Sequence, residues 1–161
     1  MTLRVEILFQ QPIYEKNMEQ FKLDFFRKDH EMVNINFITL SKKKSDDAFI
    51  SFCLKYKIQK NERTNIFNII QNEGHYINFV NAEDAEFNLG LLINNLNIRI
   101  LPTNLYVCWD SFYNIDVFNY DDVIKYFDYI WYPKVDDIII FDYSFNFCLM
   151  IRHDGIIYAL N

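Results

Sequence analysis

Three apolar runs at the end of the chain constrain its fold most. Asp137 to Phe141, Phe145 to Arg152 and Ile156 to Leu160 are short, rich in Ile, Phe, Leu and Met, and separated by a few polar residues. Strands joined by such short links pair antiparallel, because a parallel crossover needs a longer connection. The link His153-Asp154-Gly155 contains Asp-Gly, a strong hairpin signal, since glycine adopts positive φ cheaply. An antiparallel meander is therefore predicted at the C-terminus.

Upstream the pattern changes to helices mixed with single strands. Leu3, Val5, Ile7 and Phe9 alternate as a strand, and Pro12 opens a helix whose buried stripe reads Tyr14, Met18, Phe21 and Phe25. Val33, Ile35 and Phe37 alternate as a second strand. After a charged loop from Ser41 to Lys44, Ser45 is placed to cap a helix with Phe49, Phe52, Cys53 and Tyr56 inward. A helix over Asn61 to Glu73 has Ile66, Ile69 and Ile70 inward and Gly74 as its stop. Tyr76 to Val80 is a short strand. Asn81 caps a helix lined by Ala85, Leu89, Leu92, Ile93 and Leu96. Leu105 to Trp109 is a strand, and Ser111 to Tyr120 a polar-aromatic loop. Asn119 caps a short helix with Asp121 and Asp122 in its first turn and Val123, Phe127 and Ile130 inward, ended by Pro133. The expected architecture is one α+β domain, residues 1–161, with an antiparallel sheet, a C-terminal β-meander and helices mainly in the first 100 residues.

Charge narrows the function. Residues 1–99 hold 13 acids and 13 bases, whereas residues 100–161 hold nine acids and three bases, so the net charge of -6 belongs to the last 62 residues. The same stretch is crowded with aromatics. Acid-studded aromatic surface suits a basic protein partner and argues against binding a phosphate backbone. The candidate contact residues are Asp110, Asp116, Asp121, Asp122 and Asp128, pairing with Lys and Arg, and Tyr113, Tyr120 and Trp131 as anchors.

Catalytic patterns compete weakly. Asp136, Asp137 and Asp142 could form a carboxylate metal cluster, but Asp122-Val123-Ile124-Lys125 lacks the spacing of the acid-x-Lys that accompanies such clusters in nucleases. His153 and Asp154 are adjacent and read as turn residues. His30 and His75 lie in unrelated segments without zinc-site spacing. Cys53, Cys108 and Cys148 sit in apolar segments and read as buried free thiols of a reducing, cytoplasmic compartment. Gly74, Gly90 and Gly155 stand alone, so no phosphate loop is expected. Lys42-Lys43-Lys44 reads as a solvated run. The opening MTLRVEILFQ has no signal-peptide pattern, and no apolar run approaches the ~18 residues that span a bilayer. No metal or other cofactor, no nucleic acid and no membrane is expected as a partner, and the oligomeric state stays open.

The segments Trp131-Tyr132-Pro133, Asp136-Asp137-Ile138, Ile140-Phe141-Asp142 and Ile151-Arg152-His153-Asp154-Gly155 resemble a C-terminal pattern of small bacterial proteins from polymorphic-toxin loci. These include the immunity proteins of contact-dependent growth inhibition. The resemblance covers about 30 of the 161 residues. It implies a non-enzymatic inhibitor that binds one cognate toxin domain, often a basic nuclease, and it supplies no catalytic residues. The expected function is thus toxin neutralisation. Two other classes stay open: a metal-dependent hydrolase using the clustered aspartates, and a non-catalytic structural subunit.

Overall fold

Strands β3 (Asn104–Cys108), β4 (Ile115–Asn119), β5 (Ile138–Phe141), β6 (Cys148–Ile151) and β7 (Ile157–Leu160) form the centre of one sheet. The structure is a computed structural model and describes residues 18–161. Short strands β1 (Phe37–Thr39) and β2 (His75–Tyr76) flank the centre, giving the order β1-β4-β3-β5-β6-β7-β2 with every pair antiparallel. The meander β5-β6-β7 forms as expected, but its first turn is longer: β6 starts at Cys148, not Phe145, because Phe145 sits in the turn at φ 51, while Gly155 takes φ +75 in the last hairpin. The fold is α+β, and among the described residues four of six α-helices precede residue 100.

Both faces of the sheet are apolar, so both must be covered. Ile138 and Ile140 of β5 face one way with Val107, Phe118, Leu149 and Ile157. Ile139 and Phe141 face the other way with Cys108, Ile115, Cys148 and Met150. Helices α1 (Gln20–Asp29), α4 (Leu89–Asn94), α5 (Tyr120–Lys125) and α6 (Phe127–Ile130) cover the first face through Phe26, Ile93, Val123 and Ile130. Helices α2 (Lys42–Tyr56) and α3 (Ile66–Glu73), joined through a 3-10 turn at Lys60–Asn65, cover the second through Phe52 and Ile70. The result is three layers. Each fully buried Ile or Phe contributes about 1.5–3 kcal/mol relative to exposure, so the inner strands carry much of the stability.

Several local expectations need correcting. The strand at Leu3 to Phe9, and the Pro12 and Tyr14 of the first helix, lie outside the described residues. In α1 the buried residues are Lys22, Leu23 and Phe26, continuing from Met18 just before the helix, while Phe21 and Phe25 are exposed. The second strand begins at Phe37, leaving Val33 exposed and only Ile35 buried before it. Ser41, not Ser45, caps α2 by accepting a bond from the Lys44 amide at 3.3 Å, so Lys42 to Lys44 form a helical turn rather than a loop. Ser45 is buried instead, and its hydroxyl has no partner among the described residues. Ile69 is only partly buried. Gly74 does stop α3, but at φ -81; a Cβ there would sit 2.5 Å from the Ile70 carbonyl and 3.1 Å from that of Ala159. Close approach, not positive φ, requires glycine. The strand near Tyr76 covers only His75–Tyr76. Asn81 makes a turn by accepting the Glu83 amide, and the helix starts later, capped by Asn88. Ala85 is therefore exposed.

The largest correction is β4. Within the expected loop Ser111 to Tyr120, Ile115–Asn119 pairs with β3 on one side and β1 on the other. Asp116 disguised this strand. It is fully buried, and its carboxylate accepts bonds from the Met18 amide at 3.0 Å, Trp109 Nε1 at 3.0 Å and Thr39 Oγ1 at 2.6 Å. One polar side chain thus ties β1, β3, β4 and the entry to α1. At the far side, Arg63 donates to Asp46 at 2.7 Å and to the carbonyls of Ser111 and Phe112. Its guanidinium also lies against Tyr113 and Phe49, at 3.9 and 4.8 Å from the ring centres. That clamp holds the β3–β4 turn to the second helical layer.

Asp116→Ala leaves three donors without their acceptor, and is expected to cost about 2–4 kcal/mol in denaturant unfolding. Asp116→Asn keeps the shape and loses less. Burial pushes the Asp116 carboxyl above its ordinary 3.8, against the lowering effect of Thr39, Trp109 and Met18. The folded protein then holds a proton there that the unfolded chain has released. Stability of the natural protein relative to Asp116→Asn should therefore fall as pH rises through 3.8 toward the folded value, then level off. Unfolding curves of both proteins between pH 3 and 8 check this.

Candidate interaction surface

Lys22 decides how α1 sits on the sheet. Its side chain is buried, and an uncompensated buried ammonium is prohibitively costly. The ammonium is compensated from several sides: the Asp136 carboxylate at 2.5 Å, the Ile130 carbonyl at 3.0 Å, and the faces of Trp109 and Tyr132 at 4.7 and 5.1 Å. Asp136 also accepts the Tyr132 amide at 2.8 Å. Turning Lys22 inward turns Phe21 and Phe25 outward, where they remain 42% and 53% exposed. Phe21 leans on Tyr132 and Phe25, with ring centres 5.6 and 6.4 Å away. Beside them Tyr129 donates to Asp29 at 2.9 Å. Asp24 and Asp128 lie exposed on α1 and α6, two helices that pack together.

This aromatic patch belongs to an acidic layer. Residues 18–31, 81–99 and 119–136, which carry α1, α4, α5 and α6, contain eleven acids and six bases. Residues 41–74, which carry α2 and α3, contain four acids and seven bases. The charge asymmetry is therefore spatial. The first 99 residues sum to zero because they supply helices to both layers.

The eight residues expected at the partner contact do not form one surface. Asp121 and Asp128 are exposed on α5 and α6, with Asp122 and Tyr120 half-buried beside them. Asp121 follows the Asn119 cap, as expected. Asp110 instead closes the β3–β4 turn, accepting the Tyr113 and Asn114 amides at 2.9 and 3.1 Å. Tyr113 is exposed but stacked on Arg63, beside the opposite layer. Asp116 is the buried tie already described. Trp131 is buried, stacked on Phe127 with its indole donating to the Asp136 carbonyl. Asp116 and Trp131 cannot touch a partner in this fold. Phe21 and Phe25 were missed because Lys22 interrupts the true stripe.

The polar residues considered for catalysis are each otherwise engaged. Asp136 holds Lys22, Asp137 accepts the His153 amide and faces its ring at 2.9 Å, and Asp142 caps the β5–β6 turn. Among the described residues no three of His, Cys, Asp and Glu converge on a possible metal position. The three cysteines are free and buried. Burial pushes the Cys108 thiol up to about 12 and raises Cys148 well above its ordinary value, so both stay protonated at neutral pH. No helix among the described residues is long and apolar enough to cross a membrane. The chain matches no protein-family model, no curated protein and no solved structure.

Lys22→Ala is expected to destabilise the fold by about 3–5 kcal/mol, because it strands Asp136 and empties the space between Trp109 and Tyr132. Lys22→Met with Asp136→Asn should recover part of that loss. Chemical denaturation of the single and double variants measures it.

Proposed function

We propose that the chain is an immunity (antitoxin) protein: a non-catalytic inhibitor that binds a cognate, basic bacterial toxin domain such as a nuclease and occludes its active-site cleft. The observation that carries this reading is the acidic layer with Phe21 and Phe25 protruding from it. A cationic cleft built to hold phosphates presents clustered Lys and Arg. The acids of α1, α5 and α6 are placed to meet such a cluster, while the two phenylalanines supply the apolar anchor that charge alone does not. Steering by opposite charge speeds the encounter, and the aromatic contact slows dissociation. The tail's resemblance to immunity proteins of polymorphic-toxin loci supports the same class. In this reading Asp121, Asp122 and Asp128 remain charge contacts, Asp24 joins them in place of Asp110 and Asp116, and Phe21 and Phe25 stand in place of Trp131.

The test is capture of partners from the native host with the protein as bait, at low salt and at about 0.5 M NaCl, where screening shortens to a few ångströms. Salt-sensitive recovery of one basic protein whose toxicity the chain neutralises is the expected result. Asp121→Lys/Asp122→Lys should slow association with it and weaken binding about ten-fold or more. Phe25→Ser should speed dissociation instead. Unchanged kinetics in both variants would remove the interface from this layer.

A further inference from the structure

The second face of the sheet is only partly covered. Ile38, Val117, Tyr106 and Phe141 lie in one row across β1, β4, β3 and β5. Phe141 is buried, Tyr106 and Val117 are half-buried, and Ile38 is exposed, so helical cover fades toward β1. Between α2 and this row lies a groove of about 410 Å³. Leu40, Ala48, Tyr106, Phe141 and Tyr143 make its apolar wall, and Lys44 and Asp47 stand at its polar side. That volume is in the range of sites that enclose a small molecule or a few side chains.

The aromatic wall is fixed in advance. Asp142 is buried and accepts the amides of Asn146, Phe147 and Ser144 at 2.7, 3.3 and 3.3 Å. Phe145 completes the turn at φ 51, a costly conformation for a bulky residue, with its ring stacked 4.6 Å from Phe141. Tyr143 is thereby held outward, 78% exposed, with its ring centre 6.1 Å from that of Tyr106. An exposed tyrosine on a rigid turn binds with little ordering cost.

Charge selects the occupant. Asp46 is taken up by Lys42 and Arg63. Lys43, Lys44, Lys55, Lys57 and Lys60 are exposed and have no ion-pair partner among the described residues. On this layer they outnumber Asp47, Glu62 and Glu73; of the five, Lys44 lines the groove itself, together with Asp47, and the others set the basic surroundings.

We propose that this groove docks an acidic segment of a partner protein, seating one aromatic or long aliphatic side chain against Tyr106 and Tyr143 with a carboxylate on Lys44. The contact lies on the layer opposite the acidic one and does not depend on the toxin reading. The two can be occupied together.

Fluorescence anisotropy of the whole chain with three labelled peptides of equal length tests it: alternating Glu/Phe, alternating Glu/Ser and alternating Lys/Phe. Saturable binding of the Glu/Phe peptide alone is expected. Tyr143→Ala and Lys44→Glu should each weaken it about ten-fold without changing the unfolding midpoint, since both side chains are exposed. Asp121→Lys/Asp122→Lys should leave it unaltered, which separates this site from the toxin contact. The proposal is overturned if the Glu/Phe peptide does not bind, if Lys/Phe binds equally, or if Tyr143→Ala and Lys44→Glu have no effect. It is also overturned if light scattering shows self-association that Tyr143→Ala abolishes, because the occupant is then a second copy.

Discussion

The structure depends on one constraint: the inner strands have no polar side. Ile138, Ile139, Ile140 and Phe141 are all buried, as are Cys148, Leu149, Met150 and Ile151. An antiparallel sheet usually spares one face for water. Here alternation sends apolar side chains both ways, and a second helical layer becomes obligatory. The chain supplies the layers in interrupted order, with α1 on one face, α2 and α3 on the other, and α4 to α6 back on the first.

In such an interleaved arrangement, polar groups that are buried or partly buried fix where the helices sit. Lys22 pins α1, Asp116 joins β1, β3 and β4 to the start of α1, and Arg63 clamps the β3–β4 turn to α2. A buried charge is weak as a source of stability but strict about geometry, because any displacement leaves it unpaired. Apolar contacts here supply the driving force, and three polar side chains choose among the packings it would tolerate.

The meander, the Asp-Gly hairpin, the Asn119 cap and the buried thiols were legible because each depends on neighbours within a few residues. β4 was not legible. Its central Asp116 reads as a loop residue, and only the convergence of Met18, Thr39 and Trp109 makes it a strand interior. The same applies to α1, where a buried lysine hid the stripe and made Phe21 and Phe25 look inward. Charge was legible in amount and misleading in place, since sequence order does not follow the layers. Asp110 and Asp128 are 18 residues apart, yet one closes a turn beside α2 and the other lies on the acidic layer.

The opposed charge of the two helical layers has a consequence for how the molecule moves before it touches anything. A uniformly acidic body is simply drawn toward or pushed from a charged object. A body with unlike faces also feels a torque, which turns it while it is still within about a Debye length, roughly 8 Å at physiological salt. Orientation is then settled during approach instead of by repeated collision. Net charge measures only the pull; the arrangement of α2 against α1, α5 and α6 sets the alignment.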